Sequence, residues 1–411
     1  MSIDSPSQTF GSRLHRFWPM LIIIALALNL RPIVTSHGPL LEQIRADTGL
    51  SLQSMSLLTV LPMLCMGLFP LLLPRLGRRL SENSWVVGGL LAIAAGCAWR
   101  LFLQDGPSLI LTALLAGMGV AVVQSLAPGV VKRWYTQHVP LGMGLYSAAL
   151  MGGGGLAAVF SPLVARSTEQ WQTGLGIWLL PALLAVLFWV GRPRDSAYAG
   201  GAGVRLNCLT NRRAWLLAVY FGLANGGYAS MVAWLPLYAQ TLGWSTADSG
   251  GLVGLMTLLQ VCAALCVPLL CRGRSDRRPW LLLAVVLQLI GFSGLVFWPD
   301  AGLSLWVALI GYGLGSCFAL TLTLALDHLR VPAMAGVLAA FVQGVGFVIT
   351  ALIPYLAGML RELAGSFAAS WGLILVTLVL MFIATWRFAP SGYAPAMAGI
   401  EGPALPRQCV G

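Results

Sequence analysis

The sequence predicts an all-α integral membrane protein of twelve helices, arranged as two parallel six-helix repeats. Three observations support this fold class. The 411-residue chain is 58% apolar and only 9% charged, with a mean hydropathy of +0.83. Apolar segments long enough to cross a bilayer recur along the whole chain, and the second half repeats features of the first. A water-soluble domain carries about 25% charged residues, so a soluble fold is excluded.

Twelve apolar segments are long enough to cross a bilayer, because a transmembrane helix needs about 20 mostly apolar residues. Spans 1 to 12 cover residues 18–41, 52–73, 84–103, 107–131, 140–165, 171–191, 214–240, 249–271, 279–298, 302–326, 331–360 and 367–388. Span 1 follows Arg13 and Arg16, as a signal peptide would. It is too long for one, contains Arg31 and lacks a small-residue cleavage site, so it is predicted to be a helix.

The basic residues predict the orientation of the chain. Of the 24 Lys and Arg residues, 19 fall on the side that holds both termini, four fall on the other side, and Arg31 lies within a span. Cytoplasmic loops carry an excess of Lys and Arg, so both termini are predicted to be cytoplasmic. The net charge of +11 therefore indicates orientation. Nucleic-acid binding is not expected, because the basic loops lack interleaved aromatic residues.

An internal repeat joins the two halves. Spans 5 and 11 match at an offset of 192 residues, and an offset of 194 aligns span 2 with span 8 and Arg31 with Asn225. The predicted organisation is an N-terminal six-helix bundle (1–191), a cytoplasmic linker (192–213), a C-terminal six-helix bundle (214–389) and a cytoplasmic tail (390–411). Parallel repeats of this kind are typical of secondary transporters that bind substrate near the bilayer midplane between the halves.

Arg31 is the charged residue that lies deep within a span. It follows Trp18 by 13 residues, so it lies about 20 Å into a core about 30 Å thick. No Asp or Glu lies at a comparable depth, and Asp327 falls at the cytoplasmic end of span 10. Because a cation there costs at least about 3 kcal/mol, Arg31 is predicted to bind a small anion. One alternative is a structural role, in which Arg31 donates hydrogen bonds to the backbone carbonyls freed by Pro32 or to Gln124. The other alternative is an electrostatic role in proton coupling.

Helical spacing predicts which polar side chains share a cavity with Arg31. The predicted substrate-binding residues are Arg31, Thr35, Gln124, Asn225, Tyr228 and Gln343. Thr35 lies one turn from Arg31, and Asn225 lies almost one turn from Tyr228. For the two glutamines and the tyrosine, a hydrogen bond between helices without substrate contact is an equal alternative. His37, about 120° from Arg31 on span 1, is either interfacial or a titrating group outside this site.

Other chemistry finds no support in the sequence. The run Gly152–Gly155 lies inside a span, so it is not a phosphate-binding loop, and close helix packing or bending explains it. The scattered His and Cys residues have no metal-ligand spacing, and no polar catalytic cluster lies at depth. We therefore expect no enzyme activity, cofactor, metal, nucleotide or nucleic-acid partner. The expected partners are a small anionic substrate and the lipid bilayer, with a monomeric protein.

Four stretches carry a family resemblance: N-L-R-P-I-V-T-S-H-G-P-L-L (29–41), S-A-A-L-M-G-G-G-G-L (147–156), Y-F-G-L-A-N-G-G-Y-A-S-M-V-A-W-L-P (220–236) and L-A-L-D-H (324–328). They resemble the cyanate and nitroimidazole transporter branch of the major facilitator superfamily. The resemblance implies an alternating-access carrier of a small anion such as cyanate in the inner membrane. It also implies that the first and fourth helices of each half line the cavity. An exporter of small heteroaromatic compounds such as 2-nitroimidazoles is the alternative.

The resemblance extends to the loop between spans 2 and 3. The signature of the superfamily there ends D-R-x-G-R-R, and this chain has P-R-L-G-R-R, which implies that Arg75, Gly77, Arg78 and Arg79 form a gating loop. Pro74 replaces the acid, so the usual charge pairing between the halves is not expected at this gate. The second copy, residues 272–278, keeps Asp276.

Overall fold

The computed structural model describes residues 7–76, 81–134, 139–192, 206–271, 274–329 and 331–400, and within them the chain forms helices joined by short turns. The helices are α1 (Ser7–Leu28), α2 (Pro32–Thr35), α3 (Leu41–Thr48), α4 (Leu52–Leu76), α5 (Glu82–Arg100), α6 (Gly106–Trp134), α7 (Val139–Thr168), α8 (Trp171–Gly176), α9 (Leu179–Val190), α10 (Arg212–Thr241), α11 (Thr246–Leu270), α12 (Arg278–Phe297), α13 (Leu303–Asp327), α14 (Pro332–Ala364), α15 (Phe367–Thr385) and α16 (Tyr393–Ala396). The predicted all-α class is confirmed.

Eleven segments of the described residues are long and apolar enough to cross a bilayer. They correspond to predicted spans 1, 2 and 4 to 12. Span 3 forms α5, which is not among them because Glu82 and Asn83 at its start and Arg100 at its end lower its hydropathy. The count of twelve spans stays a prediction.

Span 1 is a broken helix, where a continuous one was expected. Helix α1 ends at Leu28 and α2 begins at Pro32, because a proline lacks the backbone N–H and its ring clashes with the carbonyl four residues earlier. The Asn29 side chain holds the break in place through Nδ2, which donates to the Ala25 carbonyl at 2.7 Å and to the Pro181 carbonyl at 3.1 Å. The break includes Arg31, the residue that the sequence predicts to lie deep within span 1.

The most extensive contacts between the two predicted repeats are made by two helix pairs, α4 with α14 and α7 with α11. Glycines bring the backbones together. A Cβ atom on Gly67 would lie 2.8 Å from the Gly344 carbonyl oxygen, and one on Gly250 would lie 2.3 Å from the Ala158 carbonyl oxygen. The pairs therefore form close interfaces with no room for side chains at the crossing points.

Part of the predicted gating loop lies outside the described residues, namely Gly77, Arg78 and Arg79, as do residues 193–205 of the linker and 401–411 of the tail. The side chain of Arg75 lies outside them too. In the second copy, Arg278 pairs with Asp276 at 2.7 Å and Arg277 pairs with Asp327 at 2.9 Å. Asp327, the last residue of α13, is thus paired with Arg277.

The C-terminal segment folds back onto this end of the bundle. Arg213 Nε donates to His328 Nε2 at 3.0 Å, and His328 Nδ1 lies 2.6 Å from the Leu324 carbonyl oxygen. The His328 ring stacks on Tyr393 with a centroid separation of 4.1 Å. Burial lowers the pKa of His328 from 6.5 to about 4, so the imidazole is neutral and accepts the hydrogen bond from Arg213.

Candidate binding site

A small cavity lies beside the break in span 1. Its lining residues come from the break, α7, α10, α11 and α13, and therefore from both predicted repeats. They are Arg31, Met151, Ala224, Asn225, Tyr228, Gln260, Leu314 and Phe318.

The break positions Arg31 at this cavity. Arg31 is the residue that precedes α2, its side chain is only 3% exposed, and its carbonyl oxygen accepts from the backbone N–H groups of Val34 and Thr35. Thr35 Oγ1 also donates to this carbonyl at 3.2 Å. The Thr35 hydroxyl is therefore used to hold the backbone, and Thr35 is not among the residues that line the cavity.

The glycine run of α7 makes room for the broken segment. A Cβ atom on Gly153 would lie 2.2 Å from the Leu28 carbonyl oxygen, and one on Gly154 would lie 3.1 Å from the Arg31 Cβ atom. At Gly153, no side chain larger than a hydrogen atom fits between α7 and the end of α1. The glycines therefore allow α7 to pack closely against the broken helix, and this packing role does not involve a nucleotide.

The guanidinium of Arg31 is unpaired within the described part of the chain. Its Nη1 atom is buried without a hydrogen-bond partner, and its Cζ atom lies 5.2 Å from the centroid of the Tyr228 ring. Tyr228 supplies a cation–π contact but no negative charge. An anion 4 Å from this cation would gain about 4 kcal/mol of Coulomb energy at an effective dielectric constant of 20. Its Nη1 atom is therefore available to donate a hydrogen bond to a ligand in the cavity.

Two amides complete the polar lining. Asn225 is 4% exposed, and its Nδ2 atom donates to the Phe221 carbonyl at 2.9 Å. Gln260 is 3% exposed, and its Oε1 atom is buried without a hydrogen-bond partner among the described residues. An unsatisfied amide at a cavity wall is available to a ligand or to water.

Gln260 is absent from the residues predicted from the sequence, although a single glutamine in the middle of an apolar span is itself a signal of a polar function. The backbone of α13 approaches it closely, because a Cβ atom on Gly315 would lie 2.3 Å from the Gln260 carbonyl oxygen. This contact draws α11 and α13 together at the cavity, so spans 8 and 10 both contribute to its wall.

The structure brings together three of the six predicted binding residues: Arg31, Asn225 and Tyr228. Thr35, Gln124 and Gln343 do not line the cavity. Gln124 Oε1 is buried without a described partner, and Gln343 Nε2 lies 3.5 Å from the Ala339 carbonyl oxygen. Within the described ranges, no cluster of three His, Cys, Asp or Glu residues could hold a metal ion.

A helical bundle with a broken helix and an unpaired cation at a central cavity defines a class of protein, the secondary transporters. Residues 17–354 match the model of the Major Facilitator Superfamily, and the chain belongs to that superfamily. It is a multi-pass membrane protein, and in bacteria such proteins lie in the inner membrane.

Among its relatives, the chain is 43% identical to the cyanate transport protein CynX of Escherichia coli (strain K12), over 90% of this chain and 97% of that protein. It is 28% identical to the 2-nitroimidazole transporter of the same organism, over 84% of this chain and 88% of that protein. The resemblance identified from the sequence is confirmed. A solved D-xylose-proton symporter shares the fold, with a TM-score of 0.74 at 13% identity, covering 91% of this chain and 98% of that one.

Proposed function

We propose that this protein is a secondary alternating-access transporter of a small anion, cyanate in the first place, across the cytoplasmic membrane. The observation that carries the proposal is the buried, unpaired guanidinium of Arg31 at the central cavity. The 43% identity to a cyanate transport protein supports the choice of substrate. Transport is gradient-driven or facilitative.

The lining fits an anion that must be bound and then released. Arg31 donates charge-assisted hydrogen bonds, each worth about 1.5–3 kcal/mol, and Tyr228 shields one side of the guanidinium. The amides of Asn225 and Gln260 supply neutral polar contacts. A three-atom anion fills about 30–60 Å³, one or two waters' share of volume, so it matches a small cavity.

A second candidate function is export of small heteroaromatic compounds such as 2-nitroimidazoles. The aromatic side chains of Tyr228 and Phe318 at the cavity offer faces on which a five-membered ring would stack. The identity of 28% to a 2-nitroimidazole transporter supports this alternative. The two candidates differ in charge, so Arg31 separates them.

The topology belongs to the same proposal. We infer twelve spans, with α5 as the third, and both termini in the cytoplasm, because 19 of the 24 Lys and Arg residues fall on that side. The halves at 1–191 and 214–389 move as bundles about the central site. The protein acts as a monomer in the lipid bilayer, without a cofactor, a nucleotide or catalytic chemistry.

Uptake of labelled cyanate into proteoliposomes tests the proposal. Arg31→Gln keeps hydrogen-bonding capacity but removes the charge, and it should lower uptake by about 10- to 100-fold, since one charge-assisted hydrogen bond is worth about 1.5–3 kcal/mol. Arg166→Gln, at an exposed arginine near the end of α7, is the matched control and should transport normally. Unchanged uptake in Arg31→Gln refutes the binding role. Transport of 2-nitroimidazole but not of cyanate supports the second candidate.

A further inference from the structure

A second buried arginine lies outside the central cavity. Arg100 is the last residue of α5 and is 0% exposed. An arginine at the end of a transmembrane helix normally extends its side chain outward to water. Arg100 does the opposite, because its Nε atom donates to Thr112 Oγ1 at 3.1 Å. Thr112 lies six residues into α6, about 9 Å along that helix, so the guanidinium points into the bundle.

The terminal nitrogens of this guanidinium have no hydrogen-bond partner among the residues that the structure describes. Nη1 and Nη2 of Arg100 are both buried without a hydrogen bond in the described part of the chain. Among the described residues, Cys97 and His37 interact with it electrostatically, and neither is a carboxylate. Burial of an arginine in this state is unfavourable unless something supplies acceptors to its two free NH₂ groups.

His37 reaches the same region from the broken segment. It is 1% exposed, its Nε2 atom lies 3.1 Å from Thr59 Oγ1, and its Nδ1 atom is buried without a hydrogen-bond partner among the described residues. The adjacent Ser36 Oγ atom is also buried, with no hydrogen-bond partner in the described ranges. Thr59 and Thr112 lie on α4 and α6, which cross closely, because a Cβ atom on Gly117 would lie 2.6 Å from the Pro62 Cα atom.

We propose that Arg100, Thr112, His37 and Thr59, here called the Arg100 cluster, form a second binding site for a small monovalent anion. Two NH₂ groups of Arg100 and the Nδ1–H of His37 would donate to it. One fixed positive charge in a buried site balances one negative charge, whereas a divalent anion would leave a net charge in a low dielectric. The full burial of Arg100 and His37 restricts the ligand to a few atoms.

The placement gives the second site a relation to the first. His37 follows Arg31 by six residues on the broken segment, with α2 between them. An anion at the Arg100 cluster therefore lies about two helical turns or less along the chain from the central cavity. As a step on the permeation path, the cluster deepens the proposed transport function and rests on it; as a binding site, it stands on its own geometry.

Equilibrium dialysis of radiolabelled thiocyanate against the purified full-length protein in lipid nanodiscs tests this inference. Thiocyanate is a linear monovalent anion of the required size. The wild-type protein should bind two anions per chain, Arg31→Gln one, Arg100→Gln one and the double variant none. Arg166→Gln, at an exposed arginine, should bind two.

Binding of thiocyanate to Arg31→Gln does not depend on whether the Arg100 variant folds. This measurement alone therefore decides whether the Arg100 cluster binds an anion. One remaining site in Arg31→Gln, weakened about tenfold by adding His37→Gln, supports the proposal. If Arg31→Gln binds no thiocyanate, the proposed second site is refuted, while the proposal of a central site at Arg31 stands. If instead Arg31→Gln binds as the wild type does, the proposed function fails while the Arg100 cluster stands.

Discussion

Substitution of Gly153 by alanine tests how the central site is built. The added Cβ atom would lie 2.2 Å from the Leu28 carbonyl oxygen and 2.9 Å from the Leu28 Cα atom. Since such a contact is essentially never closer than 3.0 Å, α7 and the end of α1 must separate by about 0.8 Å. Overpacking of this size costs about 1–3 kcal/mol. Arg31 follows Leu28 by three residues, so the shift also displaces the guanidinium.

The adjacent Gly152 provides a matched control. A Cβ atom there would meet no atom within 4 Å. Both substitutions gain the same helix propensity, about 0.5–1 kcal/mol, so their difference isolates the steric effect at Leu28. Gly153→Ala should lower the thermal unfolding midpoint in detergent and reduce cyanate uptake per folded molecule. Gly152→Ala should be at least as stable as the wild type and transport normally. Equal stability and uptake in the two variants would refute the reasoning.

Three further predictions follow from single contacts. Tyr228→Leu removes the cation–π contact with Arg31 at 5.2 Å. It should weaken cyanate binding by about 2- to 30-fold, since such contacts are worth about 0.5–2 kcal/mol. Tyr228→Phe keeps the ring and should bind cyanate nearly as well as the wild type does, and calorimetric titration of the two variants measures the difference. Gln260→Met should weaken binding, whereas Gln343→Met should not, because only Gln260 lines the cavity; equal losses would contradict this assignment. The pKa of His328 falls from 6.5 to about 4 on folding, so between these pH values the unfolded state binds more protons than the folded state. The contribution of His328 to the free energy of unfolding is therefore complete above pH 6.5 and decreases as the pH falls toward 4, by up to about 1.4 kcal/mol per pH unit. Thermal unfolding at pH 5 and pH 7 should show this loss, and His328→Gln should reduce it.

Much of the fold was accessible from the sequence because lipid imposes simple rules. Backbone groups in a bilayer must be satisfied within a helix, so long apolar segments identify helices. The exceptions have local causes. Pro32 breaks span 1 beside Arg31, and the polar ends of α5 keep it below the hydropathy of the other spans. A proline alone does not determine whether a helix is broken, since Pro162 and Pro354 lie inside the continuous helices α7 and α14.

The binding site was accessible only in part. Helical spacing fixes which face of a helix a side chain occupies, but not which helix packs against that face. Thr35 shares a face with Arg31, yet its hydroxyl donates to the backbone carbonyl of Arg31. Gln260, on a span that the family comparison did not place at the cavity, lines it because Gly315 brings α13 against α11.

The sequence by itself determined the membrane class, the repeat, the family and the importance of Arg31, because these depend on composition, periodicity and the cost of one charge in lipid. Only the tertiary structure decided which side chains surround that charge and that Arg100 turns inward. Both outcomes depend on contacts between distant segments, such as Gly153 with Leu28 and Arg100 with Thr112. An arginine at a helix end looks like an ordinary interfacial residue in the sequence, and its burial follows from the packing of α5 against α6.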